Sequence, residues 1–161
     1  MKRNVLFVFF AILNAFLLCG PSVAVAGEKV LEFMLVTKAI DVRPIEIANV
    51  ENQTVGQGHF FGVATFKDGR IAIKDFVSDF DYNKGAGPFY GYSTYTFDDG
   101  SSITARFSGE TKPNQVQHGE YRILSGTGGY AGATGTGTFD RIQSSFKGVG
   151  LFNVKLVIVT P

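Results

Sequence analysis

Three ionisable residues in predicted strands could stabilise charge during a reaction: Glu32, Asp75 and Arg106. Side chains in a strand alternate between two faces, so a polar residue on an otherwise apolar face is a candidate for a site. Asp75 has the parity of three aliphatic residues, Ile71, Ile73 and Val77. If Asp75 points inward, burial raises its pKa unless a cation pairs with it, and Arg106 is the expected partner. The alternative for Asp75 is a structural salt bridge.

Glu32 lies in a stretch that is apolar at both parities. Met34 and Val36 share its parity, whereas Leu31 and Phe33 have the opposite one. The face of Glu32 is therefore ambiguous. An inward Glu32 would be a second candidate acid, and an outward Glu32 would be an ordinary surface residue.

Tyrosine hydroxyls are the candidate ligand-binding groups. Tyr90 and Tyr92 share one face of a predicted strand with two threonines, and Tyr121 in a later strand is the third candidate. The opposite face of the first strand, with Tyr95 and Phe97, is expected to be core. The chain also contains 16 phenylalanines, which favours an apolar cavity over a filled core.

The composition argues against several kinds of chemistry. Cys19 is the only cysteine and falls in the predicted leader, so the mature chain should have no disulfide, thiol nucleophile or thiolate metal site. His59 and His118 are the only histidines and lack the spacing of metal ligands. No Gly-x-Ser-x-Gly sequence marks a hydrolase nucleophile. We therefore expect no metal and no cofactor.

Residues 1–26 have the pattern of a secretory signal peptide. Basic Lys2 and Arg3 precede an apolar stretch, and small residues end at Ala26. Cleavage there predicts a single domain over residues 27–161, secreted or periplasmic, with no stable membrane anchor. Without Lys2 and Arg3, 13 of the 15 basic residues remain against 14 acidic ones, which does not favour nucleic-acid binding.

The rest of the chain alternates with period two and is predicted to be all-β. Asp68-Gly69 and Asp99-Gly100 are typical of tight hairpin turns. Residues 78–88 are polar and Gly-rich and predict a long loop, while residues 39–49 predict an added edge strand or a loop across one mouth. We expect a closed antiparallel β-barrel, with a β-sandwich as the alternative. The predicted strands lie near residues 29–37, 57–66, 70–77, 89–97, 102–109, 117–124, 134–142 and 149–159.

The glycine-rich run from Ser125 to Phe139 lies between two strand patterns and leads into a Thr-rich strand, which is typical of a barrel corner and not of a phosphate loop. Residues 121–139, followed by the apolar strand 150–159, resemble the allene oxide cyclase and dirigent β-barrel superfamily. Residues 90–97 and 103–107 look like the preceding hairpin of that barrel.

The resemblance implies a barrel that handles a small apolar or aromatic molecule without a cofactor, and often a trimer. Glu32-Phe33-Met34 is similar to the Glu-Phe-Asn stretch of allene oxide cyclases, but Met34 replaces the Asn that holds a water there. Three hypotheses follow. They are an exported ligand-binding barrel, a cofactor-free cyclase or isomerase using Glu32, Asp75 or Arg106, and a self-associating homo-oligomer with an interface formed by Tyr95, Phe97 and Phe107.

Overall fold

The computed structural model describes residues 27–161, so the predicted signal peptide lies outside the described residues. Each strand pairs antiparallel with the next, and the first pairs with the last to close a barrel. The closed barrel expected from the sequence is confirmed, and the β-sandwich alternative is wrong. Within residues 27–161, no helix is long and apolar enough to cross a membrane. The strands are Gly27–Glu46 (β1), Gln53–Phe66 (β2), Ile71–Asn83 (β3), Gly87–Phe97 (β4), Ser102–Thr111 (β5), Gln117–Thr127 (β6), Thr134–Ile142 (β7) and Val149–Thr160 (β8).

Both Asp-Gly turns form as expected. Gly69 (φ +86°) joins β2 to β3, and Gly100 (φ +80°) joins β4 to β5, in the left-handed region that glycine tolerates. Asp68 and Asp99 each accept a hydrogen bond from the backbone N–H of the residue two positions later. These turns lie at one end of the barrel, which fixes the register of the strand pairs on either side.

The predicted loop over residues 78–88 is wrong, because β3 continues to Asn83. Its two acids face outward, where Asp79 accepts a hydrogen bond from Gln57 at 3.2 Å and Asp81 accepts one from Gln53. Phe80 lies on the inner side, packed against the core. Polar outward residues gave the strand the composition of a loop.

The segment after Lys38 is an extension of β1 and not a loop. It pairs with β2 as far as Glu46, with a register shift between Ala39 and Asp41, but pairing with β8 stops at Lys38. Pro44 therefore sits on a strand edge, where a missing N–H breaks no ladder. Of the two alternatives, the strand is the nearer one for residues 39–46, but it continues β1 and is not an added strand, and residues 47–49 lie in the loop to β2.

Glycines on the inner face make room for aromatic rings from neighbouring strands. Gly91 pairs with Phe107 and Gly109 pairs with Phe89. A Cβ added to Gly91 would lie 2.6 Å from the Phe107 ring, and one added to Gly109 would lie 2.7 Å from the Phe89 ring. The rings thus lie across glycine backbone, which lets phenylalanine fill a narrow barrel without overpacking it.

One half of the barrel is filled. The connection between β6 and β7 contributes to this packing, since a short 3₁₀ turn, Gly128–Tyr130, places the Tyr130 ring 4.9 Å from that of Phe97. The glycine-rich segment is therefore part of the scaffold at the closed end. The buried residues of this half include Leu31, Phe33, Phe66, Ala72, Tyr95, Ile103, Ile123, Leu156 and Ile158.

Candidate ligand-binding cavity

The other half of the barrel contains a cavity of about 690 Å³. It lies toward the loops at residues 47–52, 84–86, 112–116 and 143–148, which connect the strands at this end. We call the deepest lining residues of the strands the floor: Leu35, Lys74, Phe107, Tyr121, Phe139 and Phe152. The closed half of the barrel begins directly beyond them.

The walls are mainly aromatic. The Phe60 and Phe76 rings stack with centroids 4.9 Å apart, and the Phe80 and Tyr82 rings stack at 5.0 Å. The Tyr82 hydroxyl also shares a hydrogen bond of 3.0 Å with the Thr111 hydroxyl, so it has a polar partner at the cavity wall. Such a surface is suited to an apolar or aromatic molecule, because burial in it removes apolar area from water.

The floor contains two ionisable residues, Lys74 and Tyr121. Of the two, Lys74 is the one that can carry a positive charge. Its side chain is only 3% exposed, and its Nζ lies 4.2 Å from the centroid of the Phe76 ring and about 5 Å from those of Tyr95, Phe107 and Tyr121. Among the residues that the structure describes, it makes no salt bridge. Burial lowers the pKa of Lys74 to about 7, because the charged form loses hydration without gaining a counterion.

Two tyrosine hydroxyls extend from this amine into the closed half. Nζ of Lys74 lies 2.7 Å from the Tyr121 hydroxyl, which accepts a hydrogen bond of 3.0 Å from the Tyr95 hydroxyl. Burial raises the pKa of Tyr121 well above its usual range, and burial also raises that of Tyr95, with the neighbouring Tyr121 adding to the effect. Both hydroxyls therefore stay protonated across the neutral range.

The charge of the lining is one-sided. Arg141 and Lys147 line the cavity near its mouth, and Lys74 lines its floor. No Asp or Glu is present among the described residues that line it. The cavity can therefore receive a negative or neutral molecule more favourably than a cation.

The predicted acids and their cation do not line the cavity. Glu32 is exposed and lies 3.5 Å from Lys155 on the outside of the barrel. Asp75 is exposed and lies 3.0 Å from His59, not from Arg106. Arg106 is exposed, with its guanidinium 6.0 Å from the centroid of the Tyr90 ring. The structural alternative for Asp75 is the nearer one, with His59 as its partner, and the pair is a salt bridge only when His59 is protonated.

The tyrosines divide between the two faces. Tyr90 and Tyr92 are 47% and 50% exposed on the outside, whereas Tyr121 is buried and lines the cavity. The face of β4 that carries Tyr95 and Phe97 is core, as expected. The proposed interface of Tyr95, Phe97 and Phe107 is wrong, because all three residues point into the barrel and are buried.

Lys74 escaped the sequence analysis because β3 is apolar at both parities. Ile71, Ile73 and Val77 suggested that the Asp75 face was buried, but these residues are on the outside and are exposed. The usable signal lay in pairing: Lys74 is directly opposite Tyr95, whose strand has an unambiguous inner face. The inner face of β3 could therefore have been assigned from its pairing with β4.

Comparison with solved structures identifies the fold. The structure of the pterocarpan synthase dirigent protein GePTS1 superposes with a TM-score of 0.59 at 15% sequence identity, covering 91% of this chain and 98% of that one. The protein has the dirigent-like β-barrel fold. The pterocarpan synthase dirigent protein PsPTS1 gives a TM-score of 0.51 at 16% identity, covering 82% of this chain and 94% of its own.

A conserved protein of unknown function from Rhodopseudomonas palustris has the same fold, with a TM-score of 0.55 at 11% identity over 83% of this chain and 98% of the other. No protein-family model matches the sequence, and no curated protein does. At such low identity, the dirigent-like barrel is a statement about the fold, and the function must be argued from the site.

Proposed function

We propose that this dirigent-like barrel binds a small apolar or aromatic molecule in its cavity. The observation that carries the proposal is the aromatic-lined space of about 690 Å³ at one end of the barrel. Cavities that hold small ligands typically measure about 300–1,000 Å³ and combine apolar walls with a few polar groups. Here Lys74 and Tyr121 are such groups, and both are at the floor.

The charges of the side chains that line the cavity favour one class of ligand over another. Two cations, Arg141 and Lys147, and no acid line the space in the described part of the chain, so an acidic head group is favoured over a basic one. We propose that neutral and acidic molecules bind and that cationic ones of the same shape do not. A matched pair that tests this is decanoate and decylamine, which share one alkyl chain.

Binding can be measured with the fluorescent probe N-phenyl-1-naphthylamine, whose emission rises in an apolar site. Phe60 and Phe61 are adjacent in β2, but Phe60 lines the cavity whereas Phe61 lies outside and is exposed. Loss of one aromatic contact of about 1 kcal/mol corresponds to roughly fivefold in affinity. Phe60→Ala should therefore weaken probe binding about fivefold, and Phe61→Ala should leave it unchanged.

Two results would count against the proposal. The first is a wild-type protein that shows no saturable increase in probe emission. The second is equal weakening by Phe60→Ala and Phe61→Ala, because an effect shared by both faces reports stability and not the cavity. For the charge preference, displacement of the probe by decylamine as readily as by decanoate would be the contrary result.

The outer face of β1 to β3 supports a second proposal, self-association into a dimer or trimer. Val36, Val63 and Ile73 are direct cross-strand neighbours on this face, and Phe61 and Val77 extend the exposed apolar area. The Asp75–His59 pair separates Val77 from the other residues, and the remaining four form an exposed apolar patch of the kind that marks an interaction surface. This face replaces the interface expected from the sequence.

Light scattering tests the self-association directly. The wild-type protein should be a dimer or trimer at micromolar concentration, and Ile73→Lys should make it a monomer by placing a charge in the centre of the patch. Thr138→Lys on the outside of β7 is the matched control and should not change the mass. A wild-type monomer would contradict the proposal.

We also propose that the protein is exported, which rests on the leader at residues 1–26. The cyclase or isomerase hypothesis needs different residues from those expected. Glu32, Asp75 and Arg106 do not line the cavity, so catalysis in it would depend on Lys74 and Tyr121.

A further inference from the structure

The cavity floor brings together the components of a reactive amine. Lys74 has its ammonium-forming atom inside a ring of aromatic side chains and makes no salt bridge within residues 27–161. The hydroxyl nearest to it belongs to Tyr121, at 2.7 Å, and both residues line the cavity. A buried amine is costly for stability when it has no anion, so its retention at a ligand-facing position calls for a chemical explanation.

We propose that Lys74 forms a Schiff base with apolar aldehydes or ketones that enter the cavity, with the Tyr121 hydroxyl transferring the protons. This inference rests on the proposed function, since the carbonyl compound must first bind in the cavity. It adds a reversible covalent step to non-covalent binding and names the substrate class.

The step balances without an external oxidant or reductant. The lone pair of Lys74 Nζ attacks the carbonyl carbon, a C–N bond forms, and the carbonyl oxygen becomes the hydroxyl of a carbinolamine. The C–O bond then breaks and the nitrogen lone pair forms the C=N bond. Both hydrogens of the amine leave on the departing water, and hydrolysis reverses the sequence.

Tyr121 is placed to carry those protons. Its oxygen is within hydrogen-bond distance of the attacking nitrogen and accepts a hydrogen bond from Tyr95. Tyr121 can thus give a proton to the carbinolamine oxygen and recover one from nitrogen, while Tyr95 steadies the phenol oxygen. The aromatic walls keep bulk water from the imine, which slows its hydrolysis.

The site also supplies the amine in its reactive form. At pH 7.5 an amine with a pKa of about 7 is roughly three-quarters neutral, whereas an ordinary lysine is neutral in about one molecule per thousand. Lower basicity reduces the intrinsic reactivity of the amine, but far less than this gain. Lys74 should therefore react faster than the exposed lysines by at least about tenfold.

Reductive trapping tests this directly. The full chain is incubated briefly at pH 7.5 with substoichiometric benzaldehyde and sodium cyanoborohydride, which fixes an imine as a benzyl adduct. Peptide mapping then gives the extent of modification of each lysine. The same reaction in urea provides the reference in which burial is lost.

The expected result is at least about tenfold more adduct on Lys74 than on exposed Lys155 in the folded protein, and no such preference in urea. Lys74→Met should remove the preferred adduct, while Lys155→Met should not. Tyr121→Phe should slow trapping at Lys74 at least about tenfold, with trapping at exposed Lys155 in the same peptide map as the internal reference. The wild-type map does not depend on whether any variant folds.

The two proposals fail in distinguishable ways. If the probe binds but Lys74 reacts no faster than Lys155, the Schiff-base proposal is overturned and ligand binding stands. If the probe does not bind, the proposed function itself is overturned. Trapping at Lys74 that is unaffected by Tyr121→Phe would remove the assigned role of the hydroxyl.

Discussion

Lys74→Met should change how the stability of the protein depends on pH. Met fills a similar volume without a charge, so the variant removes the amine and keeps the floor packed. The folded-state pKa of Lys74 is about 7, against 10.5 for an unburied lysine. Between these two pH values the unfolded chain therefore keeps a proton on this residue, whereas the folded chain has released it.

The sign of the effect follows from this difference in proton binding. Stability rises with pH wherever the unfolded state binds more protons, which for Lys74 is the window between about pH 7 and 10.5. The slope is about 1.4 kcal/mol per pH unit within the window, and the full interval amounts to roughly 5 kcal/mol. Below pH 7 the cost of the buried charge is constant.

Urea unfolding followed by circular dichroism at pH 7.5, 8.5 and 9.5 measures this. Taking the difference between wild type and Lys74→Met cancels the titration of residues remote from the substitution. Tyr95 and Tyr121 are the titratable groups in contact with the amine, and their raised pKa values keep both neutral in the folded state here.

The variant should be more stable than wild type at pH 7.5, and its advantage should shrink by about 2–3 kcal/mol by pH 9.5. Lys155→Met, on the exposed outer face, is the matched control and should show a flat difference. A flat difference for Lys74→Met would refute the reasoning, because the amine would then titrate as an ordinary lysine.

Two further predictions concern the packing of the barrel. Gly91→Ala should destabilise the fold by at least about 2 kcal/mol in urea unfolding, because the new Cβ would meet the Phe107 ring and the backbone of β3. Gly129→Ala, with open space around it, should cost less than about 1 kcal/mol. Equal costs for the two variants would contradict the packing described. Ser93→Ala should be neutral or stabilising by about 1 kcal/mol, because the buried Ser93 hydroxyl has no hydrogen-bond partner within residues 27–161, and a loss above about 1 kcal/mol would show that it has one.

Much of the fold was predictable because most strands have one face in the core. Period-two alternation gives the eight strands, and Asp68-Gly69 and Asp99-Gly100 give two of the turns. The end of β3 was missed because Asp79 and Asp81 project outward, where polar residues are free to occur in a strand. These acids, together with the Gly-rich turn that follows Asn83, gave the end of the strand the composition of a loop.

The site was less predictable because the outer face of β3 is also apolar. Ile71, Ile73 and Val77 are exposed on the outside of β3, so hydrophobicity did not distinguish its two faces. Asp75 was therefore placed among apolar residues on the wrong face, and Lys74 was overlooked. Long-range pairing with β4 decides the question, and that pairing is a property of the closed barrel.

Native mass spectrometry of the protein purified from its own host and then titrated with N-phenyl-1-naphthylamine tests the cavity most directly. The account predicts one small molecule per chain, either carried through purification or taken up from the titration, and released when the protein is denatured. It also predicts weaker uptake by Phe60→Ala than by Phe61→Ala. A bare polypeptide mass at every probe concentration, with the barrel folded, would contradict the claim that this cavity binds a ligand.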